Sequence, residues 1–140
     1  MGCVEPTVTG SLDFDLQAHS TWSDGTREPA GVVRRAAAAG VRLLALTDHD
    51  TVSGLPEALA AAAEHDVRLV PATEISALDG NEDLHILGYQ VDHNDPGLVA
   101  GLAESRADRT ERAGRMVDKL EDLGFQLDHD ELDRHTENGV

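Results

Sequence analysis

Hydrophobic residues occur along the chain in short runs separated by longer amphipathic stretches. The run at 12–16 alternates between apolar and polar residues, whereas the run at 41–47 is almost continuously apolar, as in a strand covered on both faces. Two further apolar runs, at 67–72 and 83–91, have the length of strands. The pattern therefore predicts four strands, the last bounded on both sides by turn sequences rich in Asp, Asn and Gly.

Three amphipathic stretches predict helices. Pro29 at a first-turn position and Gly40 at a C-terminal cap position bound the first helix. Ser53 is a suitable N-cap for the second helix, and Asp95 for a third, long helix that Gly124 closes. Apolar stripes at both ends of the third helix predict core contacts, whereas its polar middle is expected to leave the core. The stripes contain Leu98, Leu102, Ala113, Met116, Val117, Leu120 and Leu123.

The order strand, helix, strand, helix, strand predicts an α/β fold with a parallel sheet and crossover helices. The chain of 140 residues has the size of one domain, and 40% hydrophobic residues can form its core. Residues 1–11 have no periodic pattern and are interpreted as a flexible leader, which leaves 12–140 as the domain.

The charge balance and the cysteine count exclude several functional classes. A net charge of −16, from 11 basic and 27 acidic residues, argues against general DNA binding. Cys3 is the only cysteine, so an internal disulfide is excluded. The first residues lack the pattern of a signal peptide, and no apolar run approaches the roughly 18 residues of a membrane span. We therefore expect a cytoplasmic protein.

Polar and ionisable side chains follow the first three predicted strands, where each apolar run stops. Because the carboxyl ends of parallel strands meet at one rim, we expect these side chains to converge. In the fourth strand, His85 alternates with Leu84 and Ile86, which would turn it toward the inside of a barrel. The residues at the strand ends are Gln17, His19, Asp24, Asp48, His49, Asp50 and Glu74.

Imidazoles combined with carboxylates predict a site for Mn, Fe, Zn or Mg, and their number suggests two or three ions. Each residue also has a simpler interpretation. A single histidine is more often a hydrogen-bonded surface residue, and His65 and His93 are interpreted so. Asp48 and Asp50 could cap turns, the Asp-Gly pair could form an ordinary turn, and Glu74 could be solvated. The repetition at successive strand ends favours the metal site.

These segments resemble the motifs of the PHP (polymerase and histidinol phosphatase) domain, a family of metal-dependent phosphoesterases. The resemblance extends from about residue 12 to 125, with the motifs in order. It is closest to a bacterial branch that removes the 3′-phosphate of nucleoside 3′,5′-bisphosphates and trims short RNA from the 5′ end. The matching segments are Asp15-Leu16-Gln17-Ala18-His19-Ser20, Ser23-Asp24-Gly25, Thr47-Asp48-His49-Asp50, Glu74-Ile75-Ser76 and His85-Ile86-Leu87-Gly88-Tyr89.

The resemblance implies the N-terminal part of a distorted (β/α)7 barrel with parallel strands and crossover helices. It also implies two or three divalent ions, with hydrolysis by attack of a hydroxide that the ions hold. Gln17 departs from the family pattern, because it stands where the family has its first histidine. An amide oxygen is a weaker ligand than imidazole, so this metal position would be poorly filled, filled by a harder ion, or empty. The implied ligands are His19, Asp24, His49, Glu74 and His85, with catalytic roles for the first four.

The family's last ligands, a His and an Asp-x-His pair, would come after the end of this chain. Asp133-Arg134-His135 spells that pair, but it follows the third helix too closely, and we interpret it as part of a short helical surface. We therefore expect a truncated domain. Its open strand edges and apolar face predict self-association unless the C-terminal half of the barrel is supplied.

The leading hypothesis is a phosphoesterase that hydrolyses phosphate monoesters of nucleotides or short RNA. The alternative is a non-catalytic fragment that binds metal or a partner, which Gln17 and the expected truncation favour. An exonuclease-like domain of a replicative polymerase is disfavoured, because no polymerase sequence follows. Four arginines in the third helix could meet substrate phosphates, although their acidic neighbours at four-residue spacing favour a solvated face. They are Arg106, Arg109, Arg112 and Arg115.

Overall fold

The computed structural model describes residues 14–80 and 82–136, and side chains as far as residue 132. The predicted leader at 1–11 and the first two residues of the first predicted strand lie outside the described residues. The elements are β1 (Phe14–Ala18), α1 (Pro29–Ala38), β2 (Leu43–Leu46), α2 (Leu55–Glu64), β3 (Arg68–Asp79), β4 (Glu82–Tyr89), α3 (Pro96–Asp122) and α4 (His129–Thr136).

The four strands form one sheet in the order β1-β2-β3-β4. β1 pairs with β2, and β2 with β3, in parallel, and α1 and α2 are the crossover connections between them. The predicted α/β fold is therefore confirmed. β4 differs, because it runs antiparallel to β3. Only two residues separate the end of β3 from the start of β4, and such a short connection permits only antiparallel pairing.

β3 is longer than the predicted strand at 67–72. Its second half pairs with β4 in a continuous register from Ala72 opposite Tyr89 to Asp79 opposite Glu82. This hairpin supplies backbone partners that a parallel neighbour alone would not provide. As a consequence, Glu74 lies within β3. The sequence had suggested that it follows the end of this strand.

The sheet is strongly curled. The hydroxyl of Tyr89 in β4 donates a hydrogen bond of 2.9 Å to the carbonyl oxygen of Leu16 in β1. These are the first and last strands of the sheet, which would lie roughly 14 Å apart if four strands were flat. The fold is thus half of a barrel, and side chains from non-adjacent strands can meet on its concave side.

The helices α1 and α2 begin and end largely as the sequence predicts. α1 begins at Pro29, and Gly40 after its end has a φ of +87°, the left-handed conformation that favours glycine. The prediction that Ser53 caps α2 is wrong, because the N-cap is Gly54 and no side chain caps it. The Ser53 hydroxyl instead accepts a hydrogen bond of 3.1 Å from the hydroxyl of Thr51.

The core lies between the sheet and the first two helices. It consists mainly of aliphatic side chains, as expected for a chain with few aromatic residues. Among its buried members are Val33, Val41, Leu44, Leu46, Leu55 and Ala58.

The long helix α3 joins this core only near its start. Asp95 caps it as predicted, accepting a hydrogen bond of 2.7 Å from the backbone N–H of Leu98. Leu102 is buried, whereas the predicted apolar stripe at the far end is exposed, with Met116 60% and Leu123 68% accessible. That stripe finds no facing element among the described residues. The polar middle, expected to leave the core, returns to the sheet through Arg109.

α4 contains the segment 133–135, as predicted from its position after α3. No described helix combines the length and the apolarity that a membrane crossing requires.

Several large apolar side chains are exposed on the outer strands and just after α3, among them Phe14, Leu84, Ile86 and Phe125. We expect the isolated chain to self-associate at micromolar concentration, because burial of such surface is favourable. Size-exclusion chromatography with light scattering measures this, and Ile86→Lys should shift the distribution toward monomer. A sharp monomeric peak from a cooperatively melting sample would contradict the expectation.

Candidate metal centre

Glu74 is the centre of the cluster that the strand ends form. Its carboxylate is almost fully buried, and its two oxygens face different neighbours. Oε1 lies 2.7 Å from Nδ1 of His85 and 4.0 Å from Nδ1 of His49. Oε2 lies 3.3 Å from Nε2 of His19 and accepts a hydrogen bond of 3.0 Å from Nε2 of Gln17. Side chains from β1, β4 and the segments after β1 and β2 therefore surround one carboxylate.

Asp24 completes the cluster from the loop between β1 and α1. Its Oδ1 lies 3.2 Å from Nδ1 of His19, and its Oδ2 lies 3.8 Å from Nε2 of His49. The rings of His19 and His49 are stacked with centroids 4.9 Å apart. The structure thus brings together the five side chains implied as ligands and Gln17 at the sixth candidate position, and their ligand role stays a prediction.

The residues present fit a divalent cation. One ligand atom each from His19, His49 and Glu74 lie within 4.8 Å of one another. The Nδ1 atoms of His19 and His49 are buried and make no hydrogen bond. A buried polar atom without a partner is costly, and a cation would remove that cost. Imidazole nitrogen and carboxylate oxygen together suit ions such as Mn²⁺, Fe²⁺ and Zn²⁺.

Burial lowers the pKa of His49 below its ordinary value of 6.5. The carboxylates of Glu74 and Asp24 oppose this shift, whereas the nearby His19 and Arg109 add to it. At neutral pH the imidazole is therefore uncharged, which is the form that can bind a metal ion.

Asp48 does not face the cluster but shapes the loop that carries Asp24. Its carboxylate accepts hydrogen bonds from the backbone N–H of Ser20 at 2.6 Å and from the hydroxyls of Ser20 and Ser23 at 2.7 and 2.8 Å. Gly25 closes this loop tightly, since a Cβ there would lie 2.7 Å from Cα of Ser20. The Asp-Gly pair therefore belongs to a loop whose conformation the buried carboxylate of Asp48 holds, although the side chain of Asp24 is itself half exposed.

Asp50 is fully buried and anchors α3 against the rim of the sheet. Its Oδ1 accepts a hydrogen bond of 2.8 Å from the backbone N–H of Ser76. Its Oδ2 forms an ion pair of 2.6 Å with Nη2 of Arg109, which also donates to the hydroxyl of Ser76 at 3.1 Å. The sequence reasoning missed this pair, because its members are 59 positions apart and no local pattern links them.

The other helix arginines that the structure pairs are exposed. Arg112 binds Asp83 at 3.1 Å, and Arg115 binds Glu111 four residues earlier at 2.5 Å. The prediction of a solvated face is thus confirmed for these two and wrong for Arg109. A cavity of about 180 Å³ beside the cluster is lined by both Arg109 and Arg112, together with His49.

Comparison with known proteins places these observations in a family. The model of the PHP domain matches residues 15–131. The chain is 44% identical over 113 residues to a 3′,5′-nucleoside bisphosphate phosphatase of Chromobacterium violaceum, covering 81% of this chain and 40% of that protein. It is 42% identical over 117 residues to a 5′-3′ exoribonuclease of Haemophilus influenzae, covering 84% and 43%.

Among solved structures, one from Bifidobacterium adolescentis, assigned to the metal-dependent phosphoesterases, superposes with a TM-score of 0.77 at 34% identity. That match covers 89% of this chain and 43% of the other. The chain thus spans about two fifths of the length of the relatives it matches. Because the family model covers most of the chain, including all six residues of the cluster around Glu74, the chain belongs to the PHP domain family.

Proposed function

We propose that this chain is part of a metal-dependent phosphoesterase that hydrolyses phosphate monoesters of nucleotides or short RNA. The observation that carries the proposal is the convergence of three imidazoles with the carboxylates of Glu74 and Asp24, in which two buried ring nitrogens make no hydrogen bond. The relatives named as a nucleoside bisphosphate phosphatase and an exoribonuclease support this substrate class.

His19, His49 and Glu74 would hold the first cation, with Asp24 and His85 adjoining it. When bound, divalent cations lower the pKa of a coordinated water and offset the charge that develops on phosphoryl oxygens. Because burial lowers the pKa of His49, its imidazole stays in the neutral form that binds a metal ion. No side chain of the cluster needs to act as a covalent nucleophile.

The cavity beside the cluster supplies a place for the substrate phosphate. It is lined by His49 and His85 on the metal side and by Arg109 and Arg112 on the helix side. Arg109 is held in place by Asp50, whereas Arg112 is half exposed and paired with an exposed acid. Exchange of that surface partner for a phosphate costs little, because exposed ion pairs contribute about 0–1 kcal/mol. Asp24 and Asp83 also line this cavity, so its two arginines offset nearby carboxylates. Divalent cations bound at the cluster would supply the further positive charge that an anionic ligand needs.

A second candidate is a non-catalytic unit that binds metal or a partner. The observation that favours it is Gln17, whose amide nitrogen faces Glu74 where an imidazole would complete the site. A centre with fewer strong ligands can bind an ion and still lack the two or three ions that hydrolysis would require.

The two candidates are separated by phosphate release from a nucleoside 3′,5′-bisphosphate. The chain is stripped with a chelator, reconstituted with Mn²⁺, Fe²⁺, Zn²⁺ or Mg²⁺ in turn, and assayed with a nucleoside 5′-monophosphate as comparison. We expect release of the 3′-phosphate with at least one ion. Tightly bound ions without any release would reject the phosphoesterase and favour the binding unit.

A further inference from the structure

We infer that Gln17 is a hydrogen-bond donor to Glu74 and not a metal ligand, so that this chain holds one ion tightly. An imidazole at position 17 would create a second ion position. The inference rests on the metal centre proposed above. It concerns the one residue of the cluster that departs from the motif.

The contact between Gln17 and Glu74 identifies the amide atom involved. A carboxylate oxygen only accepts hydrogen bonds, and the atom that faces Oε2 of Glu74 at 3.0 Å is the amide nitrogen. A glutamine binds a hard cation through its amide oxygen, because the amide nitrogen is a donor without a free electron pair. In this arrangement Gln17 therefore turns its donor, and not its amide oxygen, toward the carboxylate that would hold an ion.

The two oxygens of Glu74 are consequently unequal. Oε1 has two imidazoles near it, those of His49 and His85, whereas Oε2 has that of His19 and the Gln17 amide. The hydrogen bond from Gln17 takes part of the acceptor capacity of Oε2. Within the described part of the chain, the structure contains a single group of three ligand residues, His19, His49 and Glu74.

The backbone around Gln17 is fixed from both sides. The carbonyl of Leu16 accepts the hydrogen bond from Tyr89, and the carbonyl of Ala18 accepts one of 2.8 Å from the N–H of Thr47. The N–H of Gln17 itself donates to Asp15 at 3.2 Å. A substituted side chain at position 17 therefore starts from the same place, and an imidazole there would lie on the Oε2 side of Glu74.

The test compares the unmodified chain with Gln17→Ala and Gln17→His. Each is stripped, reconstituted with Mn²⁺, and analysed by elemental mass spectrometry and titration calorimetry. We expect one tightly bound Mn²⁺ in the unmodified chain, one in Gln17→Ala with Kd changed less than about threefold, and two in Gln17→His. Gln126→His, which adds an imidazole on an exposed loop, is the control and should bind one.

Each alternative outcome has a distinct meaning. Loss of the ion, or affinity weakened at least tenfold, in Gln17→Ala would show that Gln17 is a ligand and overturn the inference. One ion in Gln17→His would overturn it as well, because position 17 would then not adjoin a second site. Absence of Mn²⁺ from all variants would reject the metal centre itself, and with it both proposals.

Discussion

His49→Ala is expected to weaken Mn²⁺ binding at least a hundredfold and to abolish detectable phosphate release. The imidazole stands between Asp24 and Glu74 and forms ring contacts with both His19 and His85. Burial lowers the pKa of His49, so its imidazole is neutral and can bind a cation beside the carboxylate of Glu74. The substitution removes this ligand nitrogen. Ion binding is measured by titration calorimetry, and phosphate release from a nucleoside 3′,5′-bisphosphate by a colorimetric assay.

His65→Ala is the matched control, because His65 is exposed at the C-terminal end of α2 and outside the cluster. It should retain the ion binding and the phosphate release of the unmodified chain. If His49→Ala also retained both in full, His49 would not be a ligand, and the assignment of the cluster as a metal centre would have to be abandoned.

Arg109→Ala is expected to lower the free energy of unfolding by about 3 kcal/mol. The substitution leaves the fully buried carboxylate of Asp50 without its cation, and an unpaired buried charge costs several kcal/mol. The Ser76 hydroxyl loses its donor at the same time. Urea unfolding followed by circular dichroism gives the difference from the unmodified chain.

Arg115→Ala removes an arginine from the same helix and serves as control. Its partner Glu111 is exposed, so we expect a loss below about 0.5 kcal/mol. Asp50→Asn combined with Arg109→Ala should destabilise the chain less than Arg109→Ala alone, because the double variant leaves no unpaired buried charge at position 50. Equal losses for Arg109→Ala and Arg115→Ala would show that the buried pair contributes nothing special.

Local signals in the sequence were sufficient for much of the fold. Pro29, Gly40 and Asp95 mark helix ends through backbone geometry and capping, which depend on neighbouring residues only. The apolar run that became β2 identifies a strand covered on both faces. The rule that parallel strands end at one rim accounts for His19 and His49, which follow β1 and β2. Glu74 and His85 join the cluster from within β3 and the antiparallel β4.

Features that depend on distant partners were not predictable in this way. The extension of β3 past Glu74 results from pairing with β4, which no periodicity within β3 reveals. The pair of Asp50 and Arg109 joins residues that are far apart in sequence, and its arginine lies in a stretch that is polar on every side. The end of α3 is a case in which predicted burial is not observed. The apolar stripe that includes Met116 and Leu123 predicts a buried face but does not indicate which element would cover it, and both side chains are exposed.

The hydrogen bonds around Asp48 are a further feature that depends on residues distant in sequence. Ser20 and Ser23 are unremarkable as single residues, and only the folded loop turns both toward one buried carboxylate. The wrong prediction of an N-cap at Ser53 has a related cause. The hydroxyl of Thr51 donates a hydrogen bond to the hydroxyl of Ser53 just before the helix begins.

If the cluster around Glu74 is a metal centre, the unmodified chain retains divalent ions. Its ion content is determined by elemental mass spectrometry after chelation, reconstitution with Mn²⁺, Fe²⁺, Zn²⁺ or Mg²⁺ in turn, and removal of free ions. We expect at least one tightly held ion per chain with one or more of these metals. A folded chain that retained none of the four would show that the cluster is not a metal centre.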